Sequence, residues 1–154
     1  MSDILYTARA TAHGGREGTV KSSDGVLDIK LAVPKELGGP GGAATNPEQL
    51  FAAGYAACFE SAIRFVARQR HIQLDDVQVT AEVGIGKRDA GGFQLAVHLI
   101  AAFPNLDYAQ ANDVAQAAHH DICPYSHATR GNVDVTVSVT GTDGQPLPAT
   151  NATG

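Results

Sequence analysis

Two cysteines are the side chains of this sequence with the greatest capacity for covalent chemistry. Cys58 and Cys123 lie far apart and form no Cys-x-x-Cys element. Free cysteine is among the most buried residue types, so packing in a core explains either of them as well as reactivity does. A nucleophilic cysteine must ionise, and its ordinary pKa of about 8.5 means that a nearby cation or helix N-terminus has to favour the thiolate. The surrounding residues therefore have to decide between the two interpretations.

Arg16 and Glu48 are the charged residues that best fit a site around Cys58, which lies in the middle of a predicted helix. Arg16 stands between Gly14-Gly15 and Gly18, and glycines allow a tight turn and the close approach of another segment. Glu48 lies in the first helical turn, where the dipole stabilises a carboxylate. An exposed turn arginine and a helix-start glutamate explain both residues as well. Cys58 follows Glu48 by ten residues, which is roughly 15 Å along a helix. Their side chains cannot meet within one helix, so a shared site needs a turned loop or a second subunit. We expect a dimer with the site at its interface.

Cys123 precedes Pro124-Tyr125-Ser126. If Pro124 begins a short helix, Cys123 is its N-cap, where backbone N–H groups and the dipole favour a thiolate. A thiol of this kind is what a sulfenic acid at Cys58 needs in order to condense into a disulfide before it is oxidised further. A loop cysteine without a role is the alternative.

A histidine cluster near Cys123 raises the question of a metal site. Imidazole and thiolate are zinc ligands, but the spacing matches no standard zinc element and a second close cysteine is lacking. Solvated histidines at a helix end, favoured by the C-terminal dipole, are the simpler interpretation. We expect no metal at these residues. The residues concerned are His119, His120, Cys123 and His127.

Strands and helices alternate along the chain and would position these residues. Asn46 suits an N-cap, Pro47 the first helical position and Gln49 a capping box. A long helix is therefore predicted from this point to about Arg70, and its small and apolar residues on most sides indicate central burial. Period-two patterns predict antiparallel sheets on either side of the helix, and hence an α+β fold. The strands are expected at 5–12, 19–21, 26–33, 77–87, 93–103 and 133–140, with a second helix at 105–120 and a Pro/Gly-rich loop at 34–44.

Length and charge narrow the classes of function. A chain of 154 residues fits a single domain, 1–154, in which the Gly, Pro, Thr and Asn content of 142–154 indicates a flexible tail. The net charge is −5 with 11 scattered Lys and Arg, which argues against a nucleic-acid partner. No apolar run approaches the roughly 20 residues of a membrane span. The start lacks the features of a secretory signal, so we expect a cytoplasmic protein without a membrane partner.

Three separated motifs stand in a characteristic order: Gly14-Gly15-Arg16-Glu17-Gly18, then Asn46-Pro47-Glu48-Gln49-Leu50-Phe51-Ala52-Ala53-Gly54-Tyr55-Ala56-Ala57-Cys58-Phe59, then Cys123-Pro124-Tyr125-Ser126. Together they resemble the organic hydroperoxide resistance (Ohr) branch of the OsmC/Ohr family, over roughly residues 4 to 140. The resemblance implies an intertwined α+β homodimer without a cofactor. It also implies thiol-dependent reduction of alkyl and fatty-acid hydroperoxides in response to oxidative stress.

The same resemblance suggests a role for each motif residue. Cys58 would be the peroxidatic cysteine and Cys123 the resolving one, with Arg16 as the activating cation and Glu48 as the carboxylate that orients it. The resulting Cys58–Cys123 disulfide would be reduced by an external dithiol, which in the family resembles lipoyl groups on carrier proteins.

Apolar side chains near Cys58 are expected to bind the alkyl part of an organic hydroperoxide, from which hydrogen peroxide would gain little. The loop at 34–44 is expected to cover that pocket as a lid. The predicted wall residues are Leu37, Phe51, Tyr55 and Phe59.

Overall fold

The computed structural model describes residues 3–149. Backbone contacts divide the chain into two compact units, which we call unit 1, up to Leu50, and unit 2, from Phe51 onward. One helix, α1 (Pro47–Gln69), runs across the boundary. The single domain expected for 1–154 stays a prediction.

Unit 1 contains a three-stranded antiparallel sheet. Its strands are β1 (Ala10–His13), β2 (Thr19–Ser22) and β3 (Asp28–Lys30), in the order β1-β2-β3. The first strand begins at Ala10 and not at Leu5 as predicted, because β2 pairs only with Ala10–His13. A short turn of 3-10 helix at Gly15–Glu17 connects β1 to β2, and another lies at Lys35–Leu37 in the Pro/Gly-rich loop.

The start of α1 has the predicted cap. The Asn46 side-chain oxygen accepts a hydrogen bond from the Gln49 backbone N–H at 2.8 Å, and Pro47 takes the first helical position, where its missing N–H costs nothing. The Gln49 side chain accepts from the Thr45 hydroxyl at 2.9 Å, so the capping box closes one residue earlier than expected. The helix therefore begins where the sequence predicts.

Unit 2 contains a second sheet and the remaining helices. The strands β4 (Gln78–Lys87) and β5 (Phe93–Phe103) form an antiparallel hairpin, but β6 (Asp134–Gly141) pairs with β5 in parallel. The expectation of purely antiparallel sheets is thus wrong for β6. The segment between β5 and β6 is a helical crossover, which returns the chain to run in the same direction. It consists of α2 (Tyr108–Ala117), a turn of π-helix (Ala118–Ile122) and α3 (Pro124–Thr129).

The core of unit 2 lies between one face of α1, the inner face of the sheet and α2. Alternation along β5 places Val97, Leu99, Ala101 and Phe103 on the inner face. The burial predicted for α1 is confirmed along one face, and a second stripe of residues at a spacing of four is exposed. The buried face of α1 consists of Tyr55, Phe59, Ala62, Ile63, Val66 and Ala67, and the exposed stripe of Ala53, Ala57, Ser61 and Phe65.

By length and composition α1 could also cross a membrane, since its most apolar window has a mean hydropathy of 1.3. Within the protein, 33% of that window is buried. A core helix of a soluble protein passes the same test. α1 carries the ion pair Glu60–Arg64 within its length and packs its apolar face into the core, as core helices do. The expected absence of a membrane partner stays a prediction.

The chain after β6 packs against unit 2 as far as the structure describes it. Leu147 contacts the core, and the Pro148 carbonyl accepts a hydrogen bond from the Tyr108 N–H at 2.8 Å. Residues 150–154 lie outside the described part of the chain. The flexibility expected for 142–154 stays a prediction.

Candidate active site

The structure brings the two cysteines together. Cys58 is half-buried on α1, Cys123 is buried, and both are free thiols. Their sulfur atoms lie 3.6 Å apart, a hydrogen-bond distance for sulfur that exceeds the roughly 2.05 Å of a disulfide. A distance of this kind between residues so far apart in the sequence places two oxidisable groups within reach of each other.

Cys58 is positioned by the packing of α1. Tyr55 and Phe59, three residues before it and one after it, are fully buried in the core of unit 2 and fix the rotation of the helix. Gly54 allows Tyr125 to lie against α1, because a Cβ atom at this position would come within 2.8 Å of the Tyr125 hydroxyl oxygen. The glycine therefore brings the segment that follows Cys123 close to the helix that carries Cys58.

Cys123 is the N-cap of α3, as predicted, with Pro124 at the first helical position. Its backbone N–H donates to the Ala118 carbonyl at 2.9 Å, and its carbonyl accepts from the His127 N–H at 3.1 Å. Both backbone groups are therefore held in place. The side chain makes no capping hydrogen bond, so its sulfur remains directed to Cys58.

The surroundings of Cys58 in unit 2 favour the neutral thiol. Burial is the main cause that raises the pKa of Cys58 to about 11, and the hydrogen bond and charge of Cys123 add to it, whereas the Tyr125 backbone N–H lowers it. At neutral pH the neutral thiol is therefore the prevailing form of Cys58 in these surroundings. A thiolate at Cys58 therefore requires a further positive group.

Arg16 and Glu48 form a bidentate ion pair within unit 1. Nη1 and Nη2 of Arg16 lie 2.8 and 2.6 Å from the two carboxylate oxygens. The hydrogen bond from Arg16 holds the pKa of Glu48 below its usual range, and the same bond raises the pKa of Arg16. Both groups are therefore charged at neutral pH, and the planar guanidinium has one fixed orientation.

The loop that carries Arg16 depends on its glycines. Gly14 has a φ of 81°, in the left-handed region that favours glycine. A Cβ atom at Gly18 would lie 1.7 Å from the His13 carbonyl oxygen, so any other residue would force the loop open. The tight turn expected of this motif is confirmed, and the close approach of another segment stays a prediction.

The predicted pocket residues have different environments. Leu37 is 45% exposed, on the 3-10 turn of unit 1. Phe51 is half-buried in unit 2 and meets the rings of Tyr55 and Tyr125 edge-on. Tyr55 and Phe59 have no exposed surface, so in this conformation they support the core and offer no wall to a ligand.

The metal alternative finds no support among residues 3–149, where no three His, Cys, Asp or Glu side chains converge as ligands. His119 instead bonds the Ser126 hydroxyl at 2.7 Å. Burial, followed by the charges of His120 and Arg130, lowers the pKa of His119. The expected absence of a cofactor stays a prediction.

Sequence reasoning missed the polar side chains beneath Cys123. Tyr55, Ser126 and Thr129 are buried and joined by hydrogen bonds. A tyrosine on an apolar helix face and two hydroxyls in a six-residue helix carry no pattern of their own. The signal that the sequence does offer is their spacing. Ser126 and Thr129 are three residues apart on α3, and Tyr55 and Cys58 are three residues apart on α1.

Comparisons with known proteins identify the family to which the chain is similar. The model of the family described as OsmC-like protein matches residues 39–138. The organic hydroperoxide resistance protein of Xanthomonas axonopodis pv. citri (strain 306) is 54% identical over 137 residues, which cover 88% of this chain and 95% of that protein. The organic hydroperoxide resistance protein OhrB of Bacillus subtilis (strain 168) is 48% identical over 134 residues, 85% of this chain and 95% of that one.

This chain belongs to the OsmC-like protein family. A crystal structure of an organic hydroperoxide resistance protein OsmC from Legionella pneumophila, described as a predicted redox protein, has the same fold. It superposes with a TM-score of 0.85 and 54% identity, covering 90% of this chain and 99% of that one. The predicted family and the mixed α+β fold are confirmed.

Proposed function

We propose that this OsmC-like chain is a cysteine-based peroxidase that reduces organic hydroperoxides and acts in resistance to oxidative stress. The observation that carries the proposal is the 3.6 Å separation of the Cys58 and Cys123 sulfurs. Two cysteines at this distance suit a cycle in which one is oxidised and the other resolves it. Relatives named organic hydroperoxide resistance proteins, 54% and 48% identical, supply the substrate class.

In the first step the Cys58 thiolate attacks the distal oxygen of the hydroperoxide. The O–O bond breaks, the alkoxide takes up a proton and leaves as the alcohol, and Cys58 becomes a sulfenic acid. The Tyr125 N–H, which opposes the raised pKa of Cys58, would stabilise the negative sulfur. One backbone N–H is too little against burial, so a cation is needed.

We assign this cation to Arg16, with Glu48 as its orienting partner. The bidentate pair holds the guanidinium in one orientation, which is the preorganisation that transition-state stabilisation requires. Arg16 would lower the pKa of Cys58 and stabilise charge on the peroxide oxygens.

In the second step Cys123 resolves the intermediate. Its sulfur attacks the Cys58 sulfur, an S–S bond forms, the S–O bond breaks, and the leaving hydroxide takes the thiol proton to become water. An external dithiol of the lipoyl type then reduces the disulfide by exchange and is itself oxidised to a disulfide.

The alkyl part of the substrate requires apolar contacts. Phe51, half-buried among aromatic rings, and Leu37, exposed on its loop, are the wall residues that have surface to offer. Leu37→Ala is expected to reduce the preference for bulky over small hydroperoxides. Equal ratios of kcat/KM in the variant and the wild type would remove Leu37 from the site.

We further propose that the protein is an intertwined cytoplasmic homodimer. Two apolar surfaces support this: the start of unit 1, where Leu5 is 97% exposed, and the exposed stripe of α1, where small residues would let a second helix approach. A monomeric mass together with full activity would refute the dimer.

The decisive experiment measures reduction of tert-butyl hydroperoxide with dihydrolipoamide as the reductant, and hydrogen peroxide for comparison. Cys58→Ser should abolish turnover, and Cys123→Ser should retain one oxidation of Cys58 but form no internal disulfide. Arg16→Ala should raise the pH at which Cys58 reacts with an alkylating agent. A wild-type protein that is oxidised once, without regeneration by any dithiol, would instead be a sensor or carrier.

A further inference from the structure

We infer that a buried cluster of hydroxyls, Tyr55, Ser126 and Thr129 with His119, positions Cys123 for attack on Cys58 and thereby protects Cys58 from over-oxidation. We call these four residues the hydroxyl cluster. The inference rests on the proposed peroxidase cycle and assigns positioning residues to its second step.

The hydroxyl cluster joins the segments that carry the two sulfurs. The Tyr55 hydroxyl, on α1, lies 2.9 Å from the Ser126 hydroxyl and 3.2 Å from the Thr129 hydroxyl, both on α3. His119 Nδ1, on the π-helical turn, lies 2.7 Å from the Ser126 oxygen. Tyr55 and Ser126 have no exposed surface, so water does not compete for these bonds.

Counting protons fixes the direction of these bonds. The cluster makes four contacts, including that from the Thr129 hydroxyl to the Ser126 carbonyl at 3.2 Å, and its three hydroxyls supply one proton each. The fourth proton must come from His119, so Nδ1 carries it. The chain then runs in one direction, His119 to Ser126 to Tyr55 to Thr129 to the Ser126 carbonyl.

The cluster lies one helical turn from each sulfur. Cys58 follows Tyr55 by three residues on α1, and Ser126 on α3 follows Cys123, the N-cap of that helix, by three residues. Residues this far apart on a helix lie close to one face, so the bond between Tyr55 and Ser126 ties the two sulfur-bearing segments together about one turn from each sulfur. Arg130 holds the other end of the segment, since its guanidinium donates to the His119 carbonyl at 2.7 Å.

The position of Cys123 decides between two fates of oxidised Cys58. To form the disulfide, the sulfurs must close from 3.6 Å to about 2.05 Å, with expulsion of the sulfenic oxygen as water. If Cys123 moves away, a second hydroperoxide oxidises the sulfenic acid to a sulfinic acid and leaves as the alcohol. A misplacement of about 1 Å is enough to change such a rate strongly.

The test compares Ser126→Ala with Ser138→Ala. Ser138 is a matched control because its hydroxyl also bonds a histidine, His98 Nε2 at 2.6 Å, on the sheet of the same unit. Each purified, reduced protein is mixed with tert-butyl hydroperoxide, and mass spectrometry follows the sulfenic, disulfide and sulfinic forms over time. Tyr55→Phe, which removes one hydroxyl and keeps the ring, is the second variant.

Ser126→Ala is expected to slow disulfide closure about five- to tenfold, with unchanged formation of the sulfenic acid and a proportionate rise in the fraction of oxidised Cys58 that ends as sulfinic acid. Tyr55→Phe should slow disulfide closure as well. In the double variant the rate of closure should fall by less than the product of the two single fold-changes. Wild-type closure rates in both variants, with only a lowered Tm, would overturn the inference while the wild-type disulfide upholds the cycle. Absence of any sulfenic acid or disulfide in the wild type would refute the cycle itself.

Discussion

Units 1 and 2 differ in how much of their apolar surface they bury. Unit 2 encloses a continuous apolar core between α1, α2 and the sheet of β4, β5 and β6. In unit 1, Leu31 is the only buried residue between positions 3 and 50. The large apolar side chains that unit 1 exposes are Ile4, Leu5, Tyr6, Val26, Leu27 and Leu37.

The exposed apolar residues of unit 1 support the proposed second copy of the chain. A sheet of three short strands is marginal in water unless an apolar face packs against something, and single exposed hydrophobic residues are ordinary, whereas a contiguous set marks an interaction surface. The oxidisable cysteines lie in the well-packed unit, and the ion pair of Arg16 and Glu48 lies in the open one. A second copy of the chain that covers unit 1 would therefore stabilise the proposed activating pair.

The largest expected effect contrasts one leucine in each unit. Leu99→Ala, in the core of unit 2 where the side chain is fully buried, is expected to cost about 2–5 kcal/mol of unfolding free energy because it leaves a cavity. Leu27→Ala, in exposed unit 1, is expected to change it by no more than about 0.5 kcal/mol. Urea denaturation of both variants measures the contrast. A similar loss in both would mean that Leu27 is buried in solution by another copy.

Leu5→Ala probes that coverage directly. If a second chain buries Leu5, the substitution removes about 2 kcal/mol of apolar burial from each chain, or about 4 kcal/mol per symmetric dimer, which weakens self-association roughly 1,000-fold. Sedimentation or light scattering over a dilution series measures the dissociation constant. Thr7→Ala, in the same exposed segment, is the control and should leave it unchanged. An unaltered constant in Leu5→Ala would place the interface elsewhere.

Local signals account for what could be predicted from the sequence. The Asn46 cap, the Cys123 cap and the β4–β5 hairpin depend on residues close in sequence, and all three are present. The truncation of β1 and the parallel pairing of β6 depend on distant partners, which no local pattern contains.

The candidate site also has features that the sequence indicates and features that it does not. The bidentate contact of Arg16 with Glu48 and the approach of Cys58 to Cys123 had motifs to indicate them. The exclusion of Tyr55 and Phe59 from a pocket wall follows from the rotation of α1, because apolar side chains on one helix face are equally suited to a core and a ligand.

Glu48→Gln tests how much the ion pair between Arg16 and Glu48 stabilises unit 1. The pKa of Glu48 is lowered in the folded protein, chiefly by Arg16, so its contribution to stability is present above the ordinary pKa of about 4.3 and is lost as the pH falls through the folded value. At pH 7 the variant should lose no more than about 1 kcal/mol, because the Arg16 side chain is 37% exposed and solvent screens the pair.

The difference between Glu48→Gln and the wild type should therefore shrink between about pH 5 and pH 3, measured by denaturant titration at each pH. Glu17→Gln removes a carboxylate from the exposed residue next to Arg16. This variant should show no comparable loss of stability. A difference that stays constant down to pH 3 would mean that packing of the side chain, and not the ion pair, supplies the effect.

The smallest effect concerns the end of unit 2. Leu147 is half-buried against the core and Pro148 accepts the Tyr108 N–H, so the core of unit 2 extends to residues that were predicted to be a flexible tail. Leu147→Ala should cost about 0.5 kcal/mol, since only part of its surface is buried, and should speed hydrogen exchange at the Tyr108 amide. Gln145→Ala, exposed on the same segment, should not. Rapid exchange at Tyr108 already in the wild type would uphold the flexible tail, and unit 2 would then be held by the helices and sheet alone.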